Sequence, residues 1–208
     1  MLHLETVEPD TFSLLKRLLQ MPALKNFSLV GGTALSLYYG HRVSVDLDLF
    51  SHEKFEKSEI LEALTNEFGE EISHEPDQIS FGIFCFIQNV KVDIVRYPHL
   101  PLFEPKEVEG IRMYAPEDIA AMKVNAILGR GKKKDFWDIS ELLKHFSVEN
   151  IMAWHKQKFP NQMLLISIPH AITYFAEAAE SEDPISLKGQ TWENIQKHIQ
   201  KAVREYLS

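Results

Sequence analysis

Cysteine is nearly absent: one residue, Cys85, stands in 208, so no disulfide can form within the chain and a reducing cytoplasm is the expected compartment. Cys85 lies in the apolar run ISFGIFCFI and reads as a buried structural thiol rather than a nucleophile. Long apolar runs are missing too. None approaches the ~20 residues of a membrane helix, and MLHLETVEPD has no basic stretch followed by an apolar one, so neither a span nor a signal peptide is expected. Positive charge is scarce, with 22 Lys and Arg against 30 Asp and Glu and a net charge of −8. That excludes a broad nucleic-acid-coating surface and leaves room for a local basic site. The nine histidines show no metal spacing such as HExxH, and there is no internal repeat or low-complexity tract. A hydrophobic content of 45% is enough to bury one large domain or two small ones.

What is present concentrates in LVGGTALSLYYGHRVSVDLDLF. Val43, Val45, Leu47 and Leu49 alternate with Ser44, Asp46 and Asp48, which predicts a strand with one core face and both carboxylates on the other. The two acids then lie roughly 6.5 to 7 Å apart along the strand. Like charges so close call for a cation, and Mg²⁺ (or Mn²⁺) suits oxygen ligands shared with substrate phosphates. Upstream, the apolar run from Phe27 to Val30 ends at Gly31-Gly32, and Thr33 opens a helical segment closed by Gly40. Glycines allow close approach of a phosphate, and the free N–H groups of a helix start favour an anion. Such turns also serve as plain connectors; the spacing to the Asp-x-Asp pair makes this one a nucleotide-and-metal candidate. Asp93 in NVKVDIVRY joins the pocket if its strand neighbours the first, and is otherwise a solvated edge residue. Three carboxylates could hold two metal ions roughly 4 Å apart for in-line displacement at phosphorus. Ser44 either holds a phosphate or covers the strand, and Tyr38, Tyr39 and Phe50 either stack a base or pack. His41 reads as a turn residue.

A second cluster follows. Pro116 suits a first helical turn, Glu117 and Asp118 complement its dipole, and Ile119, Met122, Ala126 and Ile127 form an apolar stripe. Lys123 and Arg130 fall within about 40° of Ile119 on a 3.6-residue helix, beside the face to be buried. Buried cations need partners: nucleotide phosphates in the functional reading, or a snorkelling stem or an ion pair with Asp135 or Asp138 in the structural one. Asp135 heads a stripe with Ile139, Leu142 and Phe146, which places it toward the core as a partner for Lys123 or Arg130. The run Arg130, Lys132, Lys133 and Lys134 is either a solvated turn or a guide for a triphosphate or RNA end.

The segment GGTALSLYYGHRVSVDLDLF, with Asp93 and PEDIAAMKVNAILGRGKKKDFWDI, resembles the AbiEii/AbiGii-type nucleotidyltransferase toxins of the polymerase-β-like superfamily over roughly residues 25 to 145. The resemblance implies an NTP-dependent nucleotidyltransferase, the toxin half of a bacterial toxin–antitoxin or abortive-infection pair, with a cognate antitoxin as partner. Relatives of the MenT type add nucleotides to the 3′ end of tRNA, so an RNA acceptor is implied. The family segment K…R…(K/R)DxxD falls on Lys123, Arg130, Lys134, Asp135 and Asp138; Lys134 stands where relatives often carry Arg, keeping the charge without the bidentate fork.

The expected architecture is α+β: a small mixed-sheet nucleotidyltransferase domain over residues 1–115, then a helical domain over 116–208 that completes the active site. Helices are expected near Thr11 to Gln20, near Ser58 to Glu67, and as two long amphipathic segments, MLLISIPHAITYFAEAAE and TWENIQKHIQKAVREYL, flanking the loop SEDPISLKGQ. A hairpin is expected with its turn at Gln88-Asn89. In the expected chemistry Asp46, Asp48 and Asp93 bind metal, Asp93 also serves as base, and Gly31, Gly32, Thr33, Ser44, Lys123 and Arg130 hold the nucleotide. Asp135 orients Lys123 or Arg130. Two rivals are a small-molecule nucleotidyltransferase of the antibiotic-modifying kind and a non-catalytic nucleotide-binding partner of the same fold.

Overall fold

The chain opens with α1 (Pro9–Gln20), whose Leu14, Leu15, Leu18 and Leu19 are buried on one face. It leads into β1 (Ser28–Val30) and directly into α2 (Gly31–Tyr39), closed by Gly40 in the left-handed conformation that glycine adopts without strain. There follow β2 (Leu47–Ser51), α3 (Lys57–Phe68), β3 (Ile72–His74), β4 (Gly82–Ile87), β5 (Val90–Arg96), β6 (Lys106–Val108) and β7 (Ile111–Met113). The remainder is helical: α4 (Pro116–Gly129), α5 (Lys133–Leu142), α6 (Val148–Lys158), α7 (Ile168–Thr173) and α8 (Trp192–Leu207). The computed structural model describes residues 1–74 and 81–208; Ile79 and Ser80, placed in the hairpin's first arm by the sequence, lie outside these.

The strands form one mixed sheet in the order β3-β4-β5-β2-β1-β7-β6. At its centre β2 runs antiparallel to β1 and parallel to β5, with Asp48 opposite Val30 on one side and Asp93 on the other. Leu47 and Leu49 of β2 and Val92 and Ile94 of β5 are fully buried, so the alternation that turns the acids to the opposite face also anchors the register. Gln88 and Asn89 both have positive φ, 52° and 64°, as a two-residue hairpin turn requires.

Two expectations are corrected. The strand carrying the acids starts at Leu47 rather than Val43, because Val43 and Ser44 donate their N–H groups to Ile185 and Thr6 outside the sheet. Val45 is consequently 59% exposed instead of joining the core. The expected long helix over residues 163–180 is the six-residue α7 followed by a short 3₁₀ turn at Glu177–Glu180. Ser167 caps α7, accepting from the His170 N–H, and Pro169 belongs to its first turn; both start a helix, so Met163 to Ile166 stay outside it and exposed. The last helix forms as expected, with Thr191 as its cap and Ile195, Ile199 and Val203 buried.

Buried residues from the sheet, from α2 and from α4, α5 and α8 belong to a single hydrophobic cluster. Among the described residues no helix is long and apolar enough to cross a membrane.

Candidate active site

The β1-to-α2 turn is built around Asp48. Gly31 has φ +71°, and a Cβ there would stand 2.6 Å from Asp48 Oδ2, so glycine is demanded both by the backbone and by the carboxylate lying against it. A Cβ on Gly32 would stand 2.0 Å from Arg42 Nη2. The Gly-Gly pair thus brings a carboxylate and a guanidinium against the start of α2.

Asp48 and Asp93 are register partners on adjacent parallel strands, which puts their Cα atoms about 5 Å apart with side chains on one face. Burial first, then the Asp93 charge, pushes the Asp48 carboxyl above the usual carboxylate range; Lys123 and Lys91 offset only part of this. Asp46 lies just before β2, and its Oδ2 accepts from Lys134 Nζ at 3.2 Å. Asp93 Oδ2 accepts from Lys91 Nζ at 2.5 Å, while Asp93 Oδ1 is buried with no hydrogen-bond partner among the described residues. Burying an unpaired carboxylate oxygen beside a second carboxylate is costly, and a hard divalent cation would relieve it. The donor set therefore suits Mg²⁺ or Mn²⁺. With Asp46 and Asp93 each turned toward a lysine, no three His, Cys, Asp or Glu side chains among the described residues form a ready-made metal cage.

Behind the acids lies a buried ionic cluster. Asp138 on α5 accepts from His41 Nε2 at 2.8 Å, Arg42 Nε at 2.7 Å and Arg42 Nη2 at 3.0 Å, and pairs with Lys123 Nζ at 2.6 Å. Lys123 also donates to Asp135 Oδ1 at 2.9 Å, and Asp135 Oδ2 accepts from the Lys132 N–H at the start of α5. All five side chains are buried. Burial opposes charge on Asp138, yet the Arg42 guanidinium, the Lys123 ammonium and the His41 bond outweigh it and hold the carboxyl well below its ordinary range. Burial likewise opposes charge on Lys123, and Asp138 and Asp135 overcome it, so this lysine is an ammonium.

The candidates separate accordingly. Asp46, Asp48, Asp93, Gly31, Gly32, Thr33, Ser44, Lys123 and Asp135 gather around the start of α2. The Thr33 hydroxyl, however, bonds the Ser44 hydroxyl at 2.8 Å and the Asp46 carbonyl, so both hydroxyls brace the loop before β2. Lys123 spends two of its three donors on carboxylates. Arg130 sits exposed at the C-terminal end of α4 and makes no ion pair among the described residues. Tyr39 stacks on His145 with centroids 4.3 Å apart, and Phe50 packs against Tyr97.

Arg42 was not legible as a site residue, and His41 reads as a turn residue until Asp138 is seen beside it. The available signal was a cation four residues ahead of Asp46, needing an anion that, among the described residues, Asp138, 96 positions away, supplies by direct hydrogen bonds. Cys85 is buried on β4, its thiol pushed up to about 12 by burial and then by Asp93, which makes it an inert packing group.

The sequence profile described as "Nucleotidyl transferase AbiEii toxin, Type IV TA system" matches residues 13–206. An uncharacterized protein of Aquifex aeolicus (strain VF5), aq_aa25, is 31% identical over 207 residues, covering 93% of this chain and 94% of its own. A putative nucleotidyltransferase from H. pylori superimposes with a TM-score of 0.57 at 19% identity, covering 97% of this chain and 99% of that one. MenT4, a nucleotidyltransferase toxin from Mycobacterium tuberculosis, gives a TM-score of 0.57 at 12% identity over 94% of this chain and 84% of its own. The chain belongs to the AbiEii family of nucleotidyl transferase toxins, and is a nucleotidyltransferase with a mixed α/β fold.

Proposed function

We propose that this AbiEii-family enzyme transfers NMP from a metal-bound NTP to the 3′ end of an RNA acceptor such as tRNA, acting as a toxin restrained by a cognate antitoxin. The observation that carries the chemistry is the in-register pairing of Asp48 with Asp93 beside the Gly31 turn, with Asp46 two residues away. Asp46, Asp48 and Asp93 would hold Mg²⁺ or Mn²⁺, which when bound neutralises phosphate charge and sets the reacting groups in line.

The chain's own residues supply the remainder. Gly31 and Gly32 let the Asp48 carboxylate and the Arg42 guanidinium lie against the start of α2, where the N–H groups of the first turn would meet the phosphates. Asp93 accepts the proton of the acceptor hydroxyl as its oxygen bonds the α-phosphorus and the bond to pyrophosphate breaks. Lys123, held by Asp135 and Asp138, is a fixed positive charge near Asp48 that favours the anionic transition state. The RNA acceptor rests on the resemblance to MenT-type toxins.

The test incubates purified protein and an Asp48→Asn control with Mg²⁺, total tRNA and each α-labelled NTP. Label on tRNA that disappears in the variant is the expected result, and it names the nucleotide. Full transfer by Asp48→Asn would overturn the metal-site assignment; pyrophosphate release without labelled RNA would replace the acceptor and favour a small molecule.

A further inference from the structure

The aromatic side chains that lie near the acids in sequence are taken up by packing: Tyr39 stacks on His145, and Phe50 lies against Tyr97. A different set is open. On β4 the buried residues Ile83, Cys85 and Ile87 share the core face with Val92 and Ile94 of β5, so Gly82, Phe84 and Phe86 stand on the face that carries Asp48 and Asp93. Phe84 is the register partner of Asp93, and Phe86 that of Lys91. Such partners on antiparallel strands have Cα atoms about 4.5 to 5.5 Å apart. A Cβ on Gly82 would stand 3.2 Å from the Phe84 ring, so the glycine leaves that ring room to lie along β4.

The sheet order β4-β5-β2-β1 sets the acids of β2 and β5 between two unlike surfaces. On the β1 side is the Gly31 turn with the start of α2. On the β4 side is a strip of rings. Phe86 is 50% exposed, and Phe81, packed edge-on to Phe84 with centroids 5.7 Å apart, is 52% exposed. These rings are neighbours, unlike the scattered apolar residues of an ordinary surface. Lys91 adds a cation: its side chain is 45% exposed and pairs with Asp93 alone among the described carboxylates, leaving two of three ammonium donors for another ligand. Flat rings, an ammonium and a carboxylate thus follow one another across two strands. An unpaired nucleotide offers their complements: a flat base, a phosphate and a terminal hydroxyl.

We propose that Phe84 and Phe86, with Lys91, form the acceptor subsite, where unpaired bases at the single-stranded 3′ end of an RNA stack on the rings, a backbone phosphate meets Lys91, and the terminal hydroxyl is set at Asp93. The inference rests on the RNA reading of the acceptor given above. Stacking tolerates any base, because every base has a π-face, whereas bases within a duplex are already stacked on one another. The acceptor is therefore selected by a free 3′ end more than by its sequence. Phe86 and Ser73 also line a cavity of about 750 Å³ together with Asp10, Glu70 and Glu71. Those acids repel a phosphate chain, so the strip holds the few nucleotides at the end of the RNA and not a long stretch of it.

Fluorescence anisotropy tests this with a short 5′-fluorescein-labelled single-stranded RNA and with a blunt-ended RNA hairpin of the same base composition, both without NTP. The KM values for tRNA and for NTP are measured alongside in the transfer reaction. Full-length wild type, Phe86→Ala, Phe86→Leu and Phe86→Trp are compared, with a circular dichroism melt to verify folding; Phe86→Leu keeps an apolar side chain but no ring. Phe86→Ala and Phe86→Leu are expected to bind the single strand about tenfold more weakly, as for loss of one base-stacking ring, and to raise the KM for tRNA by a similar factor while the KM for NTP stays put. Phe86→Trp should stay within about threefold of wild type. Unchanged RNA affinity and unchanged KM for tRNA in a folded Phe86→Ala overturn the proposal, and so does equal binding of the hairpin by wild type. A wild-type dimer that Phe86→Ala dissolves in sedimentation, with RNA affinity unaltered, would make the strip a contact between two copies of this chain and overturn it too. If wild type neither bound the RNA nor labelled tRNA, the RNA reading would fall and take this inference with it; if wild type labelled tRNA and Phe86→Ala matched it in affinity and in KM, this inference alone would fall.

Discussion

At the scale of the residue, Asp138 has the most consequence for its size. One buried carboxylate answers Arg42, Lys123 and His41 together. Removing it strips the buried Arg42 of this carboxylate and leaves Lys123 with Asp135, and breaking a buried pair in this way costs about 3–5 kcal/mol. Asp138→Ala is therefore expected to lower urea stability by that order, and a loss below about 1 kcal/mol would show that water replaces the carboxylate. Asp48 behaves oppositely. It is a buried carboxylate facing a second one, so Asp48→Asn should raise the melting temperature in metal-free buffer while abolishing transfer. Mg²⁺ should raise the melting temperature of wild type and leave that of the variant unmoved. The acids and the Gly-Gly turn could be read from local spacing, as could a cation on α4 for Asp135, although spacing left Lys123 and Arg130 as equal candidates and only the structure assigns Lys123. Arg42 could not, because its anion lies on a different helix and no local pattern names it.

Among elements, α5 ties the site to the segment between α7 and α8. Glu141 near its end is bonded to Lys144 at 2.6 Å and Lys188 at 2.7 Å. Burial works against the Glu141 charge, but these two bonds outweigh it and bring the carboxyl down to about 2 from 4.5. A depressed carboxyl contributes stability that is fully present above about pH 4.5 and is lost as pH falls toward 2. Glu141→Gln should therefore flatten the acid limb of the stability–pH curve across that window, by about 1–2 kcal/mol once the partial exposure of both lysines is allowed for. The same steepness in wild type and variant would remove Glu141 from the account. Elements with strong period were legible: α4, α8 and the β4–β5 hairpin. The start of β2 was not, since the alternation from Val43 continues past the point where backbone partners change to Ile185 and Thr6. Nor was the break at α7, where four consecutive apolar residues imitate a helix but Ser167 and Pro169 begin a new one.

For the whole molecule, the sheet unit of residues 1–115 and the helical unit of 116–208, the division we propose from the sequence, share one buried cluster. Trp137, Trp154 and Trp192 all belong to the helical side, so their fluorescence reports that side alone, whereas far-ultraviolet circular dichroism reports both. Coincident urea transitions by the two signals are expected. A separated fluorescence transition would mean that the helices melt independently of the sheet. The mixed α/β class was readable because turn residues and periodicity change character near Pro116. The continuity of the core was not, because side-chain contacts across that boundary leave no local pattern.

The bond from Arg42 to Asp138 spans 96 positions, and this has a bearing on timing. During synthesis the glycine turn and the three acids emerge first, without the anion that holds the guanidinium against Gly32. The ionic cluster behind the acids therefore closes only once α5 has been made.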